Sequence, residues 1–515
     1  MPEGHTPAAA PAAAGGVSRA DKLNTRAAGV VALAVLCSRV LGLAREQIFA
    51  ALFGGGRIMD AFTIAFRIPN LLRDLFAEGA LSTAFVTVFT RTAALEGDAA
   101  AWRLANKAAT LAVITLSAIT VLGIASAPWL VAALAPGFDA QKAVLTVTLT
   151  RVMYPFILLV SLAALVMGIL NARNVFGIPA LASSFFNLGS IVGGWALGHW
   201  LDPHYGPRAI LGLAVGTLIG GALQLLVQLP ALRRAGYRYH PDLKWRDPGV
   251  RAILRLMGPS VIAASSTQVN VLVNSVFASE LGDGPTFWLT VAFRLMQLPL
   301  GVFGVALGTV ALPLLARMAA TGNTAGFRSE LARGMRLAFL LTIPAGVGLM
   351  VLAGPIISVL YQHGRFGAYE TAESAGALRF YAIGLCGYAA LKVLVNAFYA
   401  IDRRKTPMVV SFIAVALNLA LNWLFTRQLG FGHRGLALST ACVATSNFVI
   451  LYLLMRSHLG RLESRALLIM LAKVALLPVP DLADVDRLET LGWKTPAEAL
   501  DQYLRAAKRC VATTV

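Results

Sequence analysis

The chain has 515 residues, of which 57% are hydrophobic and only 13% are charged. Soluble proteins carry about 25% charged residues, so this composition, with repeated apolar runs longer than ~18 residues, indicates a protein that spans a membrane many times. The formal net charge is +19. Because no basic patch on a folded domain is evident, we expect the basic residues to lie in cytoplasmic loops and expect no nucleic-acid partner.

The predicted elements begin with residues 1–26, which are rich in Ala, Pro and Gly and are expected to form a disordered cytoplasmic tail. No signal peptide is evident, and the first span is expected to act as its own insertion signal. Twelve helical spans follow, six in a first lobe (27–232) and six in a second lobe (254–458). We place them at 27–52, 58–90, 108–134, 147–171, 178–200, 209–232, 254–281, 286–317, 334–361, 374–400, 407–427 and 434–456.

The connections between spans set the predicted orientation, because Lys and Arg concentrate in cytoplasmic loops. The link 233–253 between the lobes is strongly basic, whereas the connection 280–285 carries Glu280 and Asp283 and no basic residue. This alternation predicts a cytoplasmic N-terminus. Residues 459–515 begin with a short apolar segment and become polar, so no complete thirteenth span is predicted.

Four arginines lie where lipid is expected: Arg39 and Arg45 in the first span, Arg73 in the second and Arg294 in the eighth. An arginine at mid-membrane costs about 2.5–3.5 kcal/mol on insertion scales, so such residues should face an internal cavity. They outnumber the acids near them, and guanidinium groups suit carboxylate and phosphate oxygens. We therefore predict that these four arginines bind an anionic ligand. Arg39 and Arg45 are six residues apart, about 120° on a helix, so both reach one ligand only if the helix bends or the ligand is large.

Five other charged residues in the first two spans are predicted to support this cavity. They are Glu46, Asp60, Arg67, Asp74 and Glu78. Arg67 and Asp74 are seven residues apart and share a helix face with Asp60, so structural ion pairs are an equal alternative.

Four asparagines form a second candidate site. Asn418 and Asn422 share a face of the eleventh span, and Asn270 and Asn274 lie in the seventh. Their side-chain oxygens could coordinate a monovalent cation, but interhelical hydrogen bonding is the favoured interpretation. No metal-ligand motif is evident.

Several motifs closely resemble those of one family. The segment SRVLGLAR at 38–45 is followed by DAF at 60–62 and by RIPNLLRDLFAEGA at 67–80. Further matches are YPF at 154–156, 171–179, MGP at 257–259, RLMQLPLGVFGVALGT at 294–309 and KTP at 405–407. Together they resemble the MurJ (MviN) family of lipid II flippases.

The resemblance implies an all-α fold of the multidrug/oligosaccharidyl-lipid/polysaccharide exporter type, with two lobes forming a V around a cationic cavity. It implies translocation of undecaprenyl-diphosphate-linked GlcNAc-MurNAc-pentapeptide across the bacterial inner membrane, without enzymatic activity or a cofactor. Arg39, Arg45, Arg73 and Arg294 match the family's cavity arginines. Lipid II, membrane lipids and cell-wall synthesis machinery are the implied partners, and coupling to the membrane potential or to a monovalent cation is expected.

Two departures from the family are visible. Phe293 stands where some members carry an acid beside the arginine of the eighth span. The family has fourteen spans, the last two forming a groove for the polyprenyl tail, whereas this chain turns polar where the thirteenth is expected.

Other functions stay open. The chain could export another polyprenyl-linked saccharide, or serve as a non-transporting scaffold of cell-wall synthesis. A drug-cation exporter should have an acidic cavity, and a membrane enzyme should show a paired-acid metal motif, a nucleophile elbow or HExxH, none of which is evident.

Overall fold

The computed structural model describes residues 19–74 and 81–460, and the regular structure in these ranges is helical. The helices are α1 (Arg19–Phe53), α2 (Arg57–Arg73), α3 (Ser82–Glu96), α4 (Asp98–Leu134), α5 (Ala140–Met153), α6 (Phe156–Ala172), α7 (Gly177–Leu201), α8 (Ala209–Leu226), α9 (Leu229–Arg234), α10 (Pro248–Ser279), α11 (Pro285–Pro299), α12 (Val305–Ala320), α13 (Thr324–Val351), α14 (Ala353–Tyr361), α15 (Ala368–Ile383), α16 (Leu385–Ala400), α17 (Lys405–Trp423) and α18 (Gly432–Leu459). Two π-helical segments, Leu300–Gly304 and Leu424–Gln428, continue α11 and α17. Most of the predicted N-terminal tail, Glu78 and the predicted polar C-terminal tail lie outside the described residues.

The described residues form long apolar helices, so the predicted all-α membrane fold is confirmed. Within the described ranges, eight helical segments are long and apolar enough to cross a membrane, or nine if α15 and α16, bent by 43°, are one span. The number of twelve stays a prediction. Large apolar side chains such as Trp129, Trp200 and Val359 are exposed on the outside of the bundle, as expected for surfaces that face lipid.

Breaks in the spans follow from the local sequence. α5 and α6 are separated at Pro155, because the proline ring and its missing N–H interrupt the helical hydrogen-bond ladder. Pro299 ends α11, and the chain continues as a π-helical segment. The side chain of Asp139 accepts hydrogen bonds from the N–H groups of Gln141 and Lys142, which caps the start of α5.

Small residues allow α7 and α8 to pack closely. A Cβ atom added at Gly216 would lie 2.3 Å from the backbone nitrogen of Gly194, and one at Gly212 equally close to that of Gly198. Gly220 lies against the carbonyl of Phe186 in the same way. The glycines of α8 at 212, 216 and 220, spaced four residues apart, therefore lie at a helix–helix contact, as in other membrane bundles.

The helices form an N-terminal half (α1–α9) and a C-terminal half (α10–α18). In the first half α7 packs along α8 and α1, and α2 lies against α5; in the second, α16 packs against α13 and α18. α10 contacts both halves, since it touches α3 and α4 as well as α17. The halves also meet where α2 contacts α11 and where α1 contacts α14, and the cavity described next lies between these helices.

Candidate ligand-binding cavity

A charged cavity lies between the two halves. It consists of two adjoining chambers of about 420 and about 410 Å³. The first chamber is lined by Arg45, Glu46 and Asp74, and Arg67 and Arg294 line both chambers. Among the described residues, the charged lining thus holds three arginines against two acids, which is an excess of positive charge.

Arg294 makes an ion pair that joins the two halves. Its Nη2 lies 2.6 Å from Oε1 of Glu46, so α11 of the C-terminal half is bonded to α1 of the N-terminal half. The hydroxyl of Tyr361 donates to the other carboxylate oxygen at 3.4 Å. The Arg294 side chain is 37% exposed while that of Glu46 is 10% exposed, so the arginine can still be approached by a ligand.

Arg45 lines the first chamber together with Glu46 and Arg294. Its guanidinium carbon is 5.1 Å from the centre of the Phe186 ring, a cation–π contact that holds the side chain in place. Arg294, Arg73 and Glu46 each lie close enough to Arg45 to interact with it electrostatically. Arg45 lines the first chamber, whereas Arg39 is not among the described residues that line either chamber.

Arg39 and Arg73 lie apart from this lining. Arg39 packs against the π-helical segment that follows α11, since a Cβ atom at Gly301 would lie 2.6 Å from its Nη1. Arg73 pairs with Asp74 at 2.8 Å. The Asp74 carboxylate also accepts from Gln268 of α10 at 3.5 Å, so it too connects the halves.

Arg67 reaches across the cavity to two hydroxyl groups of the other half. It donates to the hydroxyl of Ser275 at 2.6 Å and to that of Thr290 at 3.3 Å. These residues belong to α10 and α11, so Arg67 of α2 is a third contact between the halves. Because Arg67 lines both chambers, it adds to the positive charge of the cavity beside the four arginines that were predicted to bind the ligand.

Asp60 lies at one end of the cavity, outside its lining, in a buried network. Its carboxylate is 2.9 Å from Nζ of Lys142 and accepts the backbone N–H groups of Gly284 at 2.6 Å and Phe287 at 2.9 Å. Asp60 is 0% exposed. Lys142 also contacts Asp283 at 2.8 Å, so this network ties the start of α11 to α2 and α5.

Five loops lie at the same end of the cavity as Asp60, and we call them together the closed end. They are the connections 54–56, 135–139, 202–208, 280–284 and 362–367. Arg57 bonds to Asp139 and lies 3.6 Å from Asp283. The hydrogen bond from Arg57 lowers the pKa of Asp139 to about 2. Arg365 donates to the carbonyl of Tyr205 at 2.6 Å and to that of His204, so the halves are joined at the surface as well as in the interior.

The four asparagines form an interhelical hydrogen-bond ladder. Asn418 donates to Asn270 at 2.9 Å and Asn422 to Asn274 at 2.8 Å. The hydroxyl of Ser439 on α18 donates to the side-chain oxygens of Asn418 and Asn422. The amide oxygens are therefore engaged in protein contacts, as the favoured interpretation expected. In the described ranges no group of three or more His, Cys, Asp or Glu is placed to hold a metal ion.

Lys142 is the residue that sequence reasoning missed. It falls in an outer connection of the predicted topology, just before the fourth span, and received no role. A signal was present, because outer connections are otherwise poor in basic residues and the buried Asp60 requires a cation.

Comparisons with known proteins agree with this geometry. Residues 49–483 match the sequence profile of the family described as "Lipid II flippase MurJ". The lipid II flippase MurJ of Burkholderia cenocepacia is 37% identical over 429 residues, 82% of each chain. The probable lipid II flippase MurJ of Vibrio cholerae is 37% identical over 434 residues, 82% of this chain and 81% of its own.

Solved structures give the same result. One described as "Lipid II flippase MurJ, inward closed conformation" matches with a TM-score of 0.74 and 26% identity, covering 94% of this chain and 99% of that one. An inward-facing multidrug resistance transporter of the MATE family in the MOP superfamily, 16% identical, matches with a TM-score of 0.71 over 83% and 96% of the two chains and supports the fold alone. The chain therefore belongs to the lipid II flippase MurJ family.

Proposed function

We propose that this protein is a lipid II flippase of the bacterial inner membrane. It moves undecaprenyl-diphosphate-linked GlcNAc-MurNAc-pentapeptide from the inner to the outer leaflet for peptidoglycan synthesis, and it is a transporter rather than an enzyme. The observation that carries this assignment beyond family membership is the excess of arginine in the cavity between the halves. A diphosphate is the kind of ligand that such guanidinium groups favour.

We propose that the N-terminus and the link 233–253 are cytoplasmic, which makes the closed end periplasmic. The conformation is then closed to the outside, and lipid II reaches the cavity from the cytoplasmic side. The polyprenyl tail stays in the bilayer. Opening of the closed end, with closure at the other, completes an alternating-access cycle.

The diphosphate is proposed to contact Arg45 and Arg294 in the cavity, with Arg39 and Arg73 completing the site as the halves rearrange. Arg294 is accessible and is paired with Glu46. A phosphate oxygen of the ligand competes with the Glu46 carboxylate for this arginine. Binding therefore exchanges a contact between the halves for a contact with the ligand, which links occupancy to the movement of the halves.

The driving force is proposed to be the membrane potential. An inside-negative potential favours outward movement of an anion by about 2.3 kcal/mol per charge per 100 mV. It also favours the inward return of an empty, positively charged cavity. The asparagine ladder supports interhelical packing better than cation coupling, because its oxygens already accept hydrogen bonds.

The proposal is tested by complementation of a bacterium depleted of its own flippase, with lipid II accessible at the outer leaflet as the readout. The parent chain should restore growth and outer-leaflet lipid II, and Arg45→Ala and Arg294→Ala should not. Arg317→Ala is the matched control, because Arg317 is an exposed arginine in the last turn of α12, away from the cavity. A stably inserted parent that restores neither would contradict the assignment and favour another polyprenyl-linked saccharide or a scaffold role.

A further inference from the structure

A second groove lies on the outside of the C-terminal half, between α14, α15 and α18. Its volume is about 410 Å³, and its lining is mostly of small residues. Ala368, Ala372, Ala375 and Gly376 lie on one face of α15, and Gly354 of α14 faces them. The groove is separate from the central cavity, since the two share no lining residue.

Arg379 lines this groove and is exposed. It lies eleven residues after Ala368, the first residue of α15, or about 16 Å along the helix at 1.5 Å per residue. Within the described part of the chain it has no hydrogen-bond or ion-pair partner. Arg434, in the first turn of α18, packs at Gly376, one turn before Arg379, so Arg379 lies near the end of the bundle where headgroup phosphates are available.

A second arginine approaches the groove from α18. Nη2 of Arg434 lies 3.1 Å from Glu373, and its Nε would be 2.6 Å from a Cβ atom at Gly376. The guanidinium group therefore occupies space that only glycine leaves at that position. The neighbouring His433 is buried, and its Nε2 lies 3.1 Å from the backbone carbonyl of Glu373. Arg379 and Arg434 against Glu373 leave one net positive charge.

We propose that this groove binds the headgroup phosphate of an anionic phospholipid. Arg379 and Arg434 contact the phosphate, and the small-residue face of α15 accommodates the glycerol and the first methylenes of the acyl chains. The single excess positive charge matches the single negative charge of phosphatidylglycerol. The bilayer surrounds the groove and supplies this ligand directly, and the inference does not depend on which substrate is transported.

The test is binding of phosphatidylglycerol to the purified full chain in detergent, measured by titration with native mass spectrometry. Arg379→Gln should weaken the tightest-bound phosphatidylglycerol by about tenfold, the value of one charge-assisted hydrogen bond. Arg317→Gln, outside the groove, should leave it unchanged. Phosphatidylcholine carries the same phosphate but has zero net charge because of its choline group, so it should bind the parent more weakly than phosphatidylglycerol.

A second variant keeps the test decisive if removal of the arginine disturbs folding. Ala372 is exposed in the groove, and Ala372→Leu fills the space while suiting a helix that faces lipid. It should also lower phosphatidylglycerol affinity while the melting temperature in lipid-free detergent stays at the parent value. Unchanged phosphatidylglycerol binding by both variants, or equal binding of the two lipids by the parent, would overturn the proposal.

Discussion

The ammonium group of Lys142 lies 2.9 Å from the Asp60 carboxylate, and the two side chains are 2% and 0% exposed. The same carboxylate accepts the backbone N–H groups of Gly284 and Phe287 at the start of α11. Arg294 lies farther along α11. One buried pair therefore fixes the helix that carries a cavity arginine and also holds the closed end together.

The first prediction concerns this pair. Lys142→Met leaves the Asp60 carboxylate buried without its cation, so the free energy of unfolding should fall by about 3–5 kcal/mol. Denaturant unfolding of the purified protein measures the change. The double variant Asp60→Asn/Lys142→Met should be more stable than Lys142→Met alone, because no buried charge is left unpaired.

An exposed ion pair at the same end is the control. Arg427 lies 2.6 Å from Glu280, with side chains 56% and 31% exposed. Arg427→Gln should cost less than about 1 kcal/mol. If Lys142→Met costs no more than this control, the buried pair does not hold the closed end.

The second prediction concerns pH. The pKa of Asp139 is lowered from 3.8 to about 2 by the hydrogen bond from Arg57. A lowered pKa in the folded state means that the contribution to stability is present above pH 3.8 and is lost as the pH falls towards 2. Asp139→Asn keeps a good helix cap but loses the ion pair. Its melting temperature should lie below that of the parent by a constant amount between pH 5 and 7, and this difference should shrink below pH 4; a difference that persists at pH 2 would contradict the assignment.

The third prediction concerns α7 and α8. Gly216→Leu places side-chain atoms where the backbone of Gly194 lies, since even a Cβ would be 2.3 Å from its nitrogen. Overpacking of this kind costs about 1–3 kcal/mol or more, and the thermal midpoint should fall. Gly29→Ala is the control, because nothing lies within 4 Å of a Cβ at that position of α1. Equal midpoints for the two variants would show that α7 and α8 separate at little cost.

The sequence predicted most of the helical architecture because apolar runs of membrane length are a strong signal. It also predicted that Arg45 and Arg294 face an internal cavity, since charge inside such a run is rare and costly, and both line the cavity in the structure. Partners were harder to predict. Glu46 directly follows Arg45 in the sequence, whereas in the structure its ion pair is with Arg294 on the other half. Glu46 and Arg294 lie far apart in the sequence, so residue spacing cannot predict that they form a pair.

Asp60 illustrates the same limit. Its spacing placed it on one helix face with Arg67 and Asp74, which suggested a common cavity. Asp60 instead binds Lys142 and the start of α11, because α2 is long enough for one face to meet different neighbours along its length. Helix periodicity predicts which residues share a face, and tertiary packing decides what that face meets.

The fourth prediction concerns Glu46. If a phosphate competes with this carboxylate for Arg294, Glu46→Gln should raise the affinity of the purified protein for lipid II by about tenfold, the lower range of a charge-assisted contact. Tyr361→Phe removes only the hydroxyl that bonds Glu46 at 3.4 Å and should change affinity little. Equilibrium binding of fluorescent lipid II measures both. A loss of affinity in Glu46→Gln would mean that the carboxylate assists binding instead.

The most direct measurement is lipid II translocation in sealed vesicles that contain only the purified chain, with and without an imposed potential. The account predicts that the parent and Arg317→Ala move lipid II, faster when the side to which it moves is positive, and that Arg45→Ala and Arg294→Ala move it at least tenfold more slowly, about 1.4 kcal/mol. Translocation by the two cavity variants at the parent rate would contradict the claim that the cationic cavity carries the diphosphate.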